Sequence, residues 1–296
     1  MEIVNASHPK FHVANEQFSI QHMKRAGMTS MPRAHSHPFI ELYYLREGER
    51  IYFVDSQVVT LQKGELILIQ SDEMHATASS EIAEFERILV NYNPALLPTP
   101  LQDDRQWFNQ RGFHLFRLML REQNEAETLL LRMLEECKEC RPFYETSVLT
   151  LFAELMILLQ RIEPRTQSDR TKHPLHHLVT DVATYIREHY QKPLTLEETA
   201  RQFFISPSYL SRIFYRLTGF HFREYVVHIR ILQAKRLITQ SNSKIQEIAS
   251  IVGFEYLSHF NKTFKRVTGY NPSHYRKEIK FRQGGKPVSN QSRTLS

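Results

Sequence analysis

Residue types that mark specialised classes of protein are scarce in this chain of 296 residues. Two cysteines, Cys137 and Cys140, are too few for a disulfide-stapled secreted domain, and nine glycines exclude a collagen-like repeat. Apolar runs such as Ile67 to Ile69 and Leu155 to Leu159 are far shorter than the roughly 20 residues that cross a bilayer. The N-terminal residues lack the continuous apolar core of a signal peptide. We therefore expect a cytoplasmic protein that does not contact a membrane.

The two parts of the chain differ in charge, although the net charge is only +6. Residues 1–180 contain 19 Lys and Arg against 24 Asp and Glu, whereas residues 181–296 contain 19 against 8. A basic module attached to a mildly acidic one is typical of a protein that binds a polyanion with one domain, because neutralised phosphates release their counterions. Charge alone does not separate DNA from RNA or an anionic membrane, and a solvated basic surface is the plain alternative.

The N-terminal half has the pattern of antiparallel strands. Short β-branched and aromatic runs, broken by turn residues, extend from Phe18 to about Tyr92 and favour a small sandwich or barrel. Four of the predicted strands are Glu41–Arg46, Arg50–Asp55, Val58–Leu61 and Glu65–Gln70. After a break at Pro94–Pro100 the spacing of apolar residues becomes helical and predicts two amphipathic helices, whereas the charged, proline-containing segment from Arg161 to Pro174 is typical of a linker.

The C-terminal part contains an internal duplication at an offset of 50 residues, where Ser206–Tyr225 aligns with Tyr256–Tyr275. Each copy begins with a short amphipathic helix, followed by a tight turn and a second helix that ends at Gly219 or Gly269. Two short helices joined by a tight turn form a helix-turn-helix, which presents its second helix to the DNA major groove. A long helix over Phe222 to Gln240 is predicted to separate the two copies.

Helical periodicity divides each second helix into an apolar stripe and a polar face. Arg212 on the polar face can contact guanine with two hydrogen bonds, and Asn261 can do the same with adenine. A solvated helix face with no partner is the alternative. The predicted DNA-binding residues are Ser208, Ser211, Arg212 and Tyr215 in the first copy, and Leu257, Ser258, Asn261, Lys262 and Lys265 in the second.

The second copy also carries an extended motif. It consists of Ile248-Ala249-x-x-Val252-Gly253-Phe254, then Phe260-x-x-x-Phe264-Lys265-x-x-x-Gly269-x-x-Pro272-x-x-Tyr275-Arg276. This motif resembles the signature of the AraC/XylS transcription regulators over about 100 residues. The resemblance implies two helix-turn-helices, sequence-specific DNA binding and usually activation of transcription. It also places Leu257 at a base-reading position, where the side chain can pack on a thymine methyl but cannot hydrogen-bond a base.

A group of histidines and a carboxylate in the N-terminal half has a second characteristic spacing. The residues run His35-x-His37-x-x-x-Glu41, then Gly48, Gly64 and His75. This spacing resembles the two cupin motifs. Positions 35, 37 and 41 share strand parity, so an uninterrupted strand would point all three side chains to one face. Three imidazoles and a carboxylate can hold a transition metal, but histidines inside a β domain can equally be satisfied by hydrogen bonds.

The second cupin motif departs from the usual pattern, because Gln70 replaces a proline, Asp72 a glycine and Ser79 an asparagine. We therefore predict no metal, no cofactor and no catalytic residue. Sensor domains of the AraC type resemble this one and generally bind a small effector, often a sugar, in the same cavity. The predicted effector-binding residues are His35, His37, Glu41, Tyr43 and His75. Ordinary packing inside the domain is their alternative role. Cys137 and Cys140 are expected to be buried or half-buried thiols, with redox switching as the alternative.

Together these features predict an α+β multidomain protein with an N-terminal cupin-like β-barrel, a helical pair and a C-terminal all-α double helix-turn-helix. The expected divisions are a barrel at 1–100, a helical dimerisation or packing region at 101–163, a linker at 164–176, a DNA-binding domain at 177–278 and a flexible basic tail at 279–296. The predicted function is that of an effector-controlled regulator that activates transcription. Its expected partners are a double-stranded DNA operator, a small-molecule effector, a second copy of the chain and RNA polymerase. Two alternatives stay open: a metal-binding cupin enzyme or metal sensor fused to a DNA-binding module, and a constitutive DNA-binding protein whose barrel only dimerises.

Overall fold

A computed structural model describes residues 9–27, 34–80, 82, 84–98, 101, 112–162 and 174–283. The chain divides into two compact units, one formed by residues 1–181 with 212–220 and the other by residues 182–211 with 221–296. Among the described residues, no helix is long and apolar enough to cross a membrane. Most of the expected linker and most of the expected tail lie outside the described residues.

The N-terminal β domain contains, over its described residues, nine strands in two antiparallel sheets. The larger sheet has the order β1-β2-β8-β3-β6-β9, and the smaller has the order β5-β4-β7. The strands are β1 (Lys10–Val13), β2 (Phe18–Arg25), β3 (Ile40–Glu47), β4 (Glu49–Val54), β5 (Gln57–Gln62), β6 (Glu65–Ile69), β7 (His75–Ser79), β8 (Phe85–Tyr92) and β9 (Phe113–Arg117). The four strands predicted from the sequence are present, with ends that differ by at most one residue.

Strand β3 is buried on both faces, which places it at the centre of the domain. Leu42 and Tyr44 belong to the core that the larger sheet shares with the helical pair. Tyr43 and Leu45 point the other way, into the core between the two sheets. Only the thickness of β3 therefore separates the surroundings of Tyr43 from the core that contains the helices.

The helical pair consists of α1 (Leu120–Glu139) and α2 (Tyr144–Gln160). Five of its leucines are predicted from the sequence either to dimerise the protein or to cover the barrel: Leu130, Leu134, Leu151, Leu155 and Leu158, of which Leu158 is partly buried. Leu130, Leu134, Leu151 and Leu155 are each at most 4% exposed and belong to the core shared with the larger sheet. They cover their own β domain, so these four side chains cannot form a dimer interface without unpacking that core.

The C-terminal part is entirely helical over its described residues. The helices are α3 (Pro174–His189), α4 (Leu196–Gln202), α5 (Pro207–Thr218), α6 (Phe222–Gln240), α7 (Ile245–Ile251), α8 (Leu257–Thr268) and α9 (Pro272–Gln283). Helix α3 begins inside the expected linker, and α9 extends into the expected tail. The second helix-turn-helix has its own core, in which Ala249, Phe260 and Phe264 pack against Ile231 and Ala234 of α6.

Candidate functional site

Backbone pairing holds His35 beside His75. Strand β3 begins only at Ile40, so the expected uninterrupted strand through residues 35, 37 and 41 is absent from the described chain. His35 instead forms an isolated antiparallel bridge with His75, in which each backbone N–H donates to the other's carbonyl oxygen at 3.0 Å. The predicted convergence is therefore found, but it comes from this bridge and not from strand parity.

The three imidazoles and one carboxylate form a compact group, which we call the histidine cluster (His35, His37, His75 and Glu41). The ring centroids of His35 and His75 are 4.5 Å apart, and those of His37 and His75 are 5.2 Å apart. Glu41 Oε2 lies 3.3 Å from His37 Nε2 and 3.5 Å from His75 Nε2. Glu41 and His75 are only 3% and 1% exposed, so the centre of the cluster is shielded from water.

Hydrogen bonds on the far side of two rings fix their orientation. His37 Nδ1 lies 3.0 Å from the carbonyl oxygen of Phe39, and His75 Nδ1 lies 2.9 Å from that of Glu73. A carbonyl oxygen only accepts, so both Nδ1 atoms carry a proton and donate it.

Burial and charge oppose each other in the cluster. Burial alone would raise the pKa of the Glu41 carboxyl, but hydrogen bonding to His37 and His75 holds that pKa well below its usual range. Burial lowers the pKa of His75, yet the neighbouring Glu41 carboxylate outweighs it and raises that pKa overall. The pKa of His35 is lowered by burial and by the charge of His75. Glu41 is therefore a buried anion surrounded by nitrogen atoms.

Tyr43, the fifth predicted effector residue, lies outside the histidine cluster but lines a space that also reaches Glu41. This space, the inter-sheet cavity, has a volume of about 220 Å³. Tyr52 donates a hydrogen bond of 3.3 Å from its Oη to Glu41 Oε1. The lining residues are Met23, Arg25, Glu41, Tyr43, Arg50, Tyr52, Thr77, Phe85, Arg87 and Leu89.

Three arginines that line the inter-sheet cavity, Arg25, Arg50 and Arg87, were missed from the sequence, and of these Arg25 is exposed. Arg50 is 4% exposed, donates to Thr77 Oγ1 and Ser79 Oγ at 3.1 Å each, and lies 4.3 Å from the centroid of the Phe85 ring. Arg87 donates to Gln21 Oε1 at 3.1 Å. The spacing on β4 could have predicted Arg50, because it lies two residues before Tyr52 and residues two apart on a strand point to the same face.

In the second copy, α8 separates an apolar from a polar face, but Val267, the last residue predicted for the apolar stripe, is 46% exposed. Phe260, Thr263 and Phe264 are buried. Of the predicted DNA-binding residues on this helix, Leu257, Ser258, Lys262 and Lys265 are exposed and Asn261 is half-buried. The polar side chains therefore lie on a surface that can meet a ligand, while the aromatic residues anchor the helix.

In the first copy, α5 has the same division. Ser206 Oγ accepts the backbone N–H of Tyr209, which caps the start of the helix. Leu210 and Phe214 are fully buried. Of the predicted DNA-binding residues, Ser208, Arg212 and Tyr215 are exposed and Ser211 is half-buried.

The two copies repeat the same backbone and side-chain hydrogen bonds. The backbone N–H of Ile205 donates to Ala200 O in the first turn, and that of Phe254 donates to Ala249 O in the second. At the ends of α5 and α8, the hydroxyls of Thr218 and Thr268 each donate to the carbonyl oxygen four residues earlier. The duplication seen in the sequence is thus a duplication of local structure.

The two cysteines differ in environment. Cys137 is buried on α1, and burial raises the pKa of its thiol to about 11. Cys140 is exposed at the end of the same helix, and its thiol donates to the Cys137 carbonyl oxygen at 3.2 Å. The thiols are not joined in a disulfide.

Two family models match separate parts of the chain. An AraC-like ligand binding domain matches residues 24–156, which contain the histidine cluster and the inter-sheet cavity. A helix-turn-helix domain matches residues 199–278, which contain α5 and α8. The first model thus covers the β domain with its helical pair, and the second covers the duplicated helices.

Curated relatives align with this chain along most of their own length. An uncharacterized HTH-type transcriptional regulator, YfiF of Bacillus subtilis, is 27% identical over 82% of this chain and 78% of its own. The HTH-type transcriptional activator RhaR of Escherichia coli K12 is 26% identical over 82% of this chain and 86% of its own.

Solved structures also align with the chain. ToxT of Vibrio cholerae aligns with 90% of this chain and 99% of its own at 12% identity and a TM-score of 0.35. The C-terminal domain of AraT, a response regulator of Geobacillus stearothermophilus, aligns with 42% of this chain and 94% of its own at 29% identity and a TM-score of 0.35. TM-scores this low do not identify a family, and the family of this chain follows from the two family models and the curated relatives. The chain belongs to the AraC family of helix-turn-helix transcriptional regulators and carries an N-terminal AraC-type ligand-binding domain.

Proposed function

We propose that this regulator is a transcriptional activator controlled by a small acidic effector that binds in the inter-sheet cavity. The observation that carries the proposal is the pair of arginines, Arg50 and Arg87, in a cavity of the matched ligand-binding domain. Guanidinium groups recognise carboxylates with paired, charge-assisted hydrogen bonds, which favours a small organic acid over the neutral sugar suggested by the family resemblance. The volume of about 220 Å³ is below that of sites for drug-sized ligands.

Control by the effector requires a path from the cavity to the rest of the domain. Tyr43 lines the cavity, and the next residue, Tyr44, donates from its Oη to Glu127 of α1 at 3.0 Å. A ligand that moves β3 therefore acts on a strand that is hydrogen-bonded to the helical pair. To change operator binding, the effector must bind the two states of the regulator with unequal affinity.

The sign of regulation is proposed from the relatives. RhaR carries the name of a transcriptional activator and aligns with 82% of this chain, which supports activation here. The sign of regulation is tested with a reporter gene placed behind an operator that the full chain has selected from a random duplex library. Expression that falls when the regulator is supplied, with or without effector, would reject activation.

Base reading by the predicted residues is tested after an operator has been selected from a random duplex library with the full chain. Arg212→Ala should cost about 1–3 kcal/mol of binding free energy and relax sequence preference at one operator position. Arg266→Ala is the matched control, because Arg266 is an exposed arginine on α8 outside the predicted set. Equal losses on operator and random DNA would contradict base reading by Arg212.

Effector control is tested by repeating the operator titration with a panel of small carboxylic acids and sugars. An acid that shifts the binding curve of the wild type should lose its effect in Arg87→Gln, while the basal affinity for DNA is retained. Lys63→Gln serves as the control, since Lys63 is an exposed cation of the same domain. The proposal fails if a ligand shown to occupy the cavity leaves the operator-binding curve unchanged.

Homodimerisation and contact with RNA polymerase remain predictions. A dimer would have to use side chains other than the four buried leucines of the helical pair, because those lie inside the core of the same chain. Sedimentation of the full chain with its operator measures the stoichiometry. A monomer at micromolar concentration with operator present would reject the dimer.

A further inference from the structure

Three segments of the second compact unit meet at Arg230 of α6. The side chain donates from Nε to the carbonyl oxygen of Tyr190 at 2.8 Å and from Nη2 to that of Lys192 at 2.9 Å. Both carbonyls belong to the connection between α3 and α4, and a planar guanidinium can hold two acceptors at once in a fixed geometry. The guanidinium also lies 5.9 Å from the centroid of the Phe254 ring, in the turn of the second helix-turn-helix.

The second turn lies directly against the same connection. A Cβ at Gly253 would lie 2.9 Å from the carbonyl oxygen of Tyr190 and 3.1 Å from Arg230 Cζ, so little space separates the three segments. The side chain of Tyr190 packs against the core of the second helix-turn-helix, although it precedes the first copy in the chain. We call this contact region the inter-copy joint (Tyr190, Lys192, Arg230, Gly253 and Phe254).

The second copy has a related contact that stays within that copy. Arg276 of α9 donates from Nη2 to the carbonyl oxygen of Ser243 at 2.8 Å, just before α7 begins. In each copy, an arginine of the helix that follows the motif thus holds the chain that precedes it. Arg230 differs because its guanidinium also faces the turn of the other copy. One side chain therefore closes the first copy and joins it to the second.

We infer that Arg230 is a positioning residue for DNA recognition, which fixes the orientation of the first helix-turn-helix, through α4, relative to the second. Helix α4 begins four residues after Lys192, so the bonded connection leads directly into the first copy. A fixed orientation lets the two copies bind two operator boxes at one separation only, because each added base pair moves a box by about 3.4 Å and turns it by about 35°. Effector control plays no part in this joint.

The test changes the separation of the two boxes in an operator that the full chain has selected from a random duplex library. The wild type should bind a duplex with one base pair inserted between the boxes at least about tenfold more weakly than the selected duplex. In Arg230→Ala this ratio should fall to about threefold or less, because two charge-assisted hydrogen bonds are lost and the joint loosens. Arg223→Ala is the matched control and should keep the wild-type ratio, since Arg223 is an exposed arginine of the same helix.

A measurement without DNA makes the test independent of the operator. Nitroxide labels are attached to α4 through Glu197→Cys and to α7 through Gln246→Cys, two exposed positions of the second unit, and the exposed Cys140 is replaced by serine. The distribution of distances between the labels should be narrow with Arg230 present and broader in Arg230→Ala.

Equal spacing ratios in Arg230→Ala and Arg223→Ala would overturn the inference and assign the orientation to α6 alone. An unchanged distribution of label distances would overturn it as well, and so would a selected operator with a single box or a wild type that tolerates the inserted base pair. Circular dichroism melts show whether Arg230→Ala is folded. If it melts early, Arg230→Lys carries the test, because lysine keeps the charge but lacks the planar fork and should give a ratio between those of the wild type and a loosened joint. All titrations omit effectors, so a failure of effector control leaves the readout unaffected.

Discussion

Left-handed backbone conformations at single residues decide how the two helix-turn-helices are built. In the second turn, Gly253 has a φ of +87° and lies against the chain that follows α3. In the first turn the corresponding position is Phe204, with a φ of +55° and 95% of its surface exposed. Glycine is required in the second copy, because a Cβ at Gly253 would lie 2.7 Å from the carbonyl oxygen of Gln191.

Gly253→Ala is therefore expected to destabilise the second helix-turn-helix by about 3 kcal/mol, which combines the left-handed penalty of roughly 1–2 kcal/mol with a backbone clash. Gly269→Ala is the matched control, since Gly269 has a φ of +79° but no atom within 4 Å of a Cβ. It should cost about 1 kcal/mol from backbone strain alone. Hydrogen exchange of the α8 amides measures both losses, and equal values would rule out the clash.

Individual elements are joined by a few charged contacts that the sequence does not reveal. Arg46 of β3 donates to Glu127 of α1 through Nε at 2.9 Å and through Nη2 at 2.6 Å, and it also pairs with Glu86 of β8. Glu127 lies in the first half of α1, and Arg46 lies near the end of β3. Nothing in the sequence around Arg46 or Glu127 predicts that these two residues form a pair.

Glu127→Ala should loosen α1 from the larger sheet, because it removes the oxygen that accepts two N–H groups of Arg46 and the oxygen that accepts the hydroxyl of Tyr44. We expect a loss of about 1–2 kcal/mol, reduced from the value of a fully buried pair because Glu127 is 31% exposed. Protection of the α1 amides against hydrogen exchange should fall about tenfold. Glu47→Ala, which breaks the exposed pair with Lys63, should change protection by less than about twofold; a loss equal to that of Glu127→Ala would contradict the prediction.

At the scale of the whole molecule, positive charge is concentrated in the part that carries the helix-turn-helices. Residues 181–296 contain 19 Lys and Arg against 8 Asp and Glu. Affinity for DNA should therefore fall steeply as salt rises, with a logarithmic slope of about 0.9 for each phosphate neutralised.

Lys265→Ala should reduce the magnitude of that slope by about 1 and weaken operator and random DNA alike, because an exposed lysine at this position is suited to a phosphate. Asn261→Ala should leave the slope unchanged and weaken the operator selectively, because an amide carries no charge. Titrations of both duplexes at several salt concentrations make the comparison. An unchanged slope in Lys265→Ala would remove that residue from the phosphate contacts.

The sequence by itself determined the family, the order of sheet and helices, and the polar faces of α5 and α8. These features depend on local periodicity, on turn residues such as Gly253 and on a motif of fixed spacing, all of which are present in a short stretch of chain. It also selected His35, His37, Glu41 and His75 as a group, although the expected strand parity was the wrong reason for their convergence.

Only the tertiary structure decided what surrounds those four residues. The bridge between His35 and His75 joins positions far apart in the sequence, and Arg50 and Arg87 reach the inter-sheet cavity from two different sheets. The leucines of the helical pair look the same in sequence whether they cover a sheet or a second chain, and the fold assigns them to the sheet. Periodicity reports which face of an element is apolar, but the partner of that face is set by packing between distant segments.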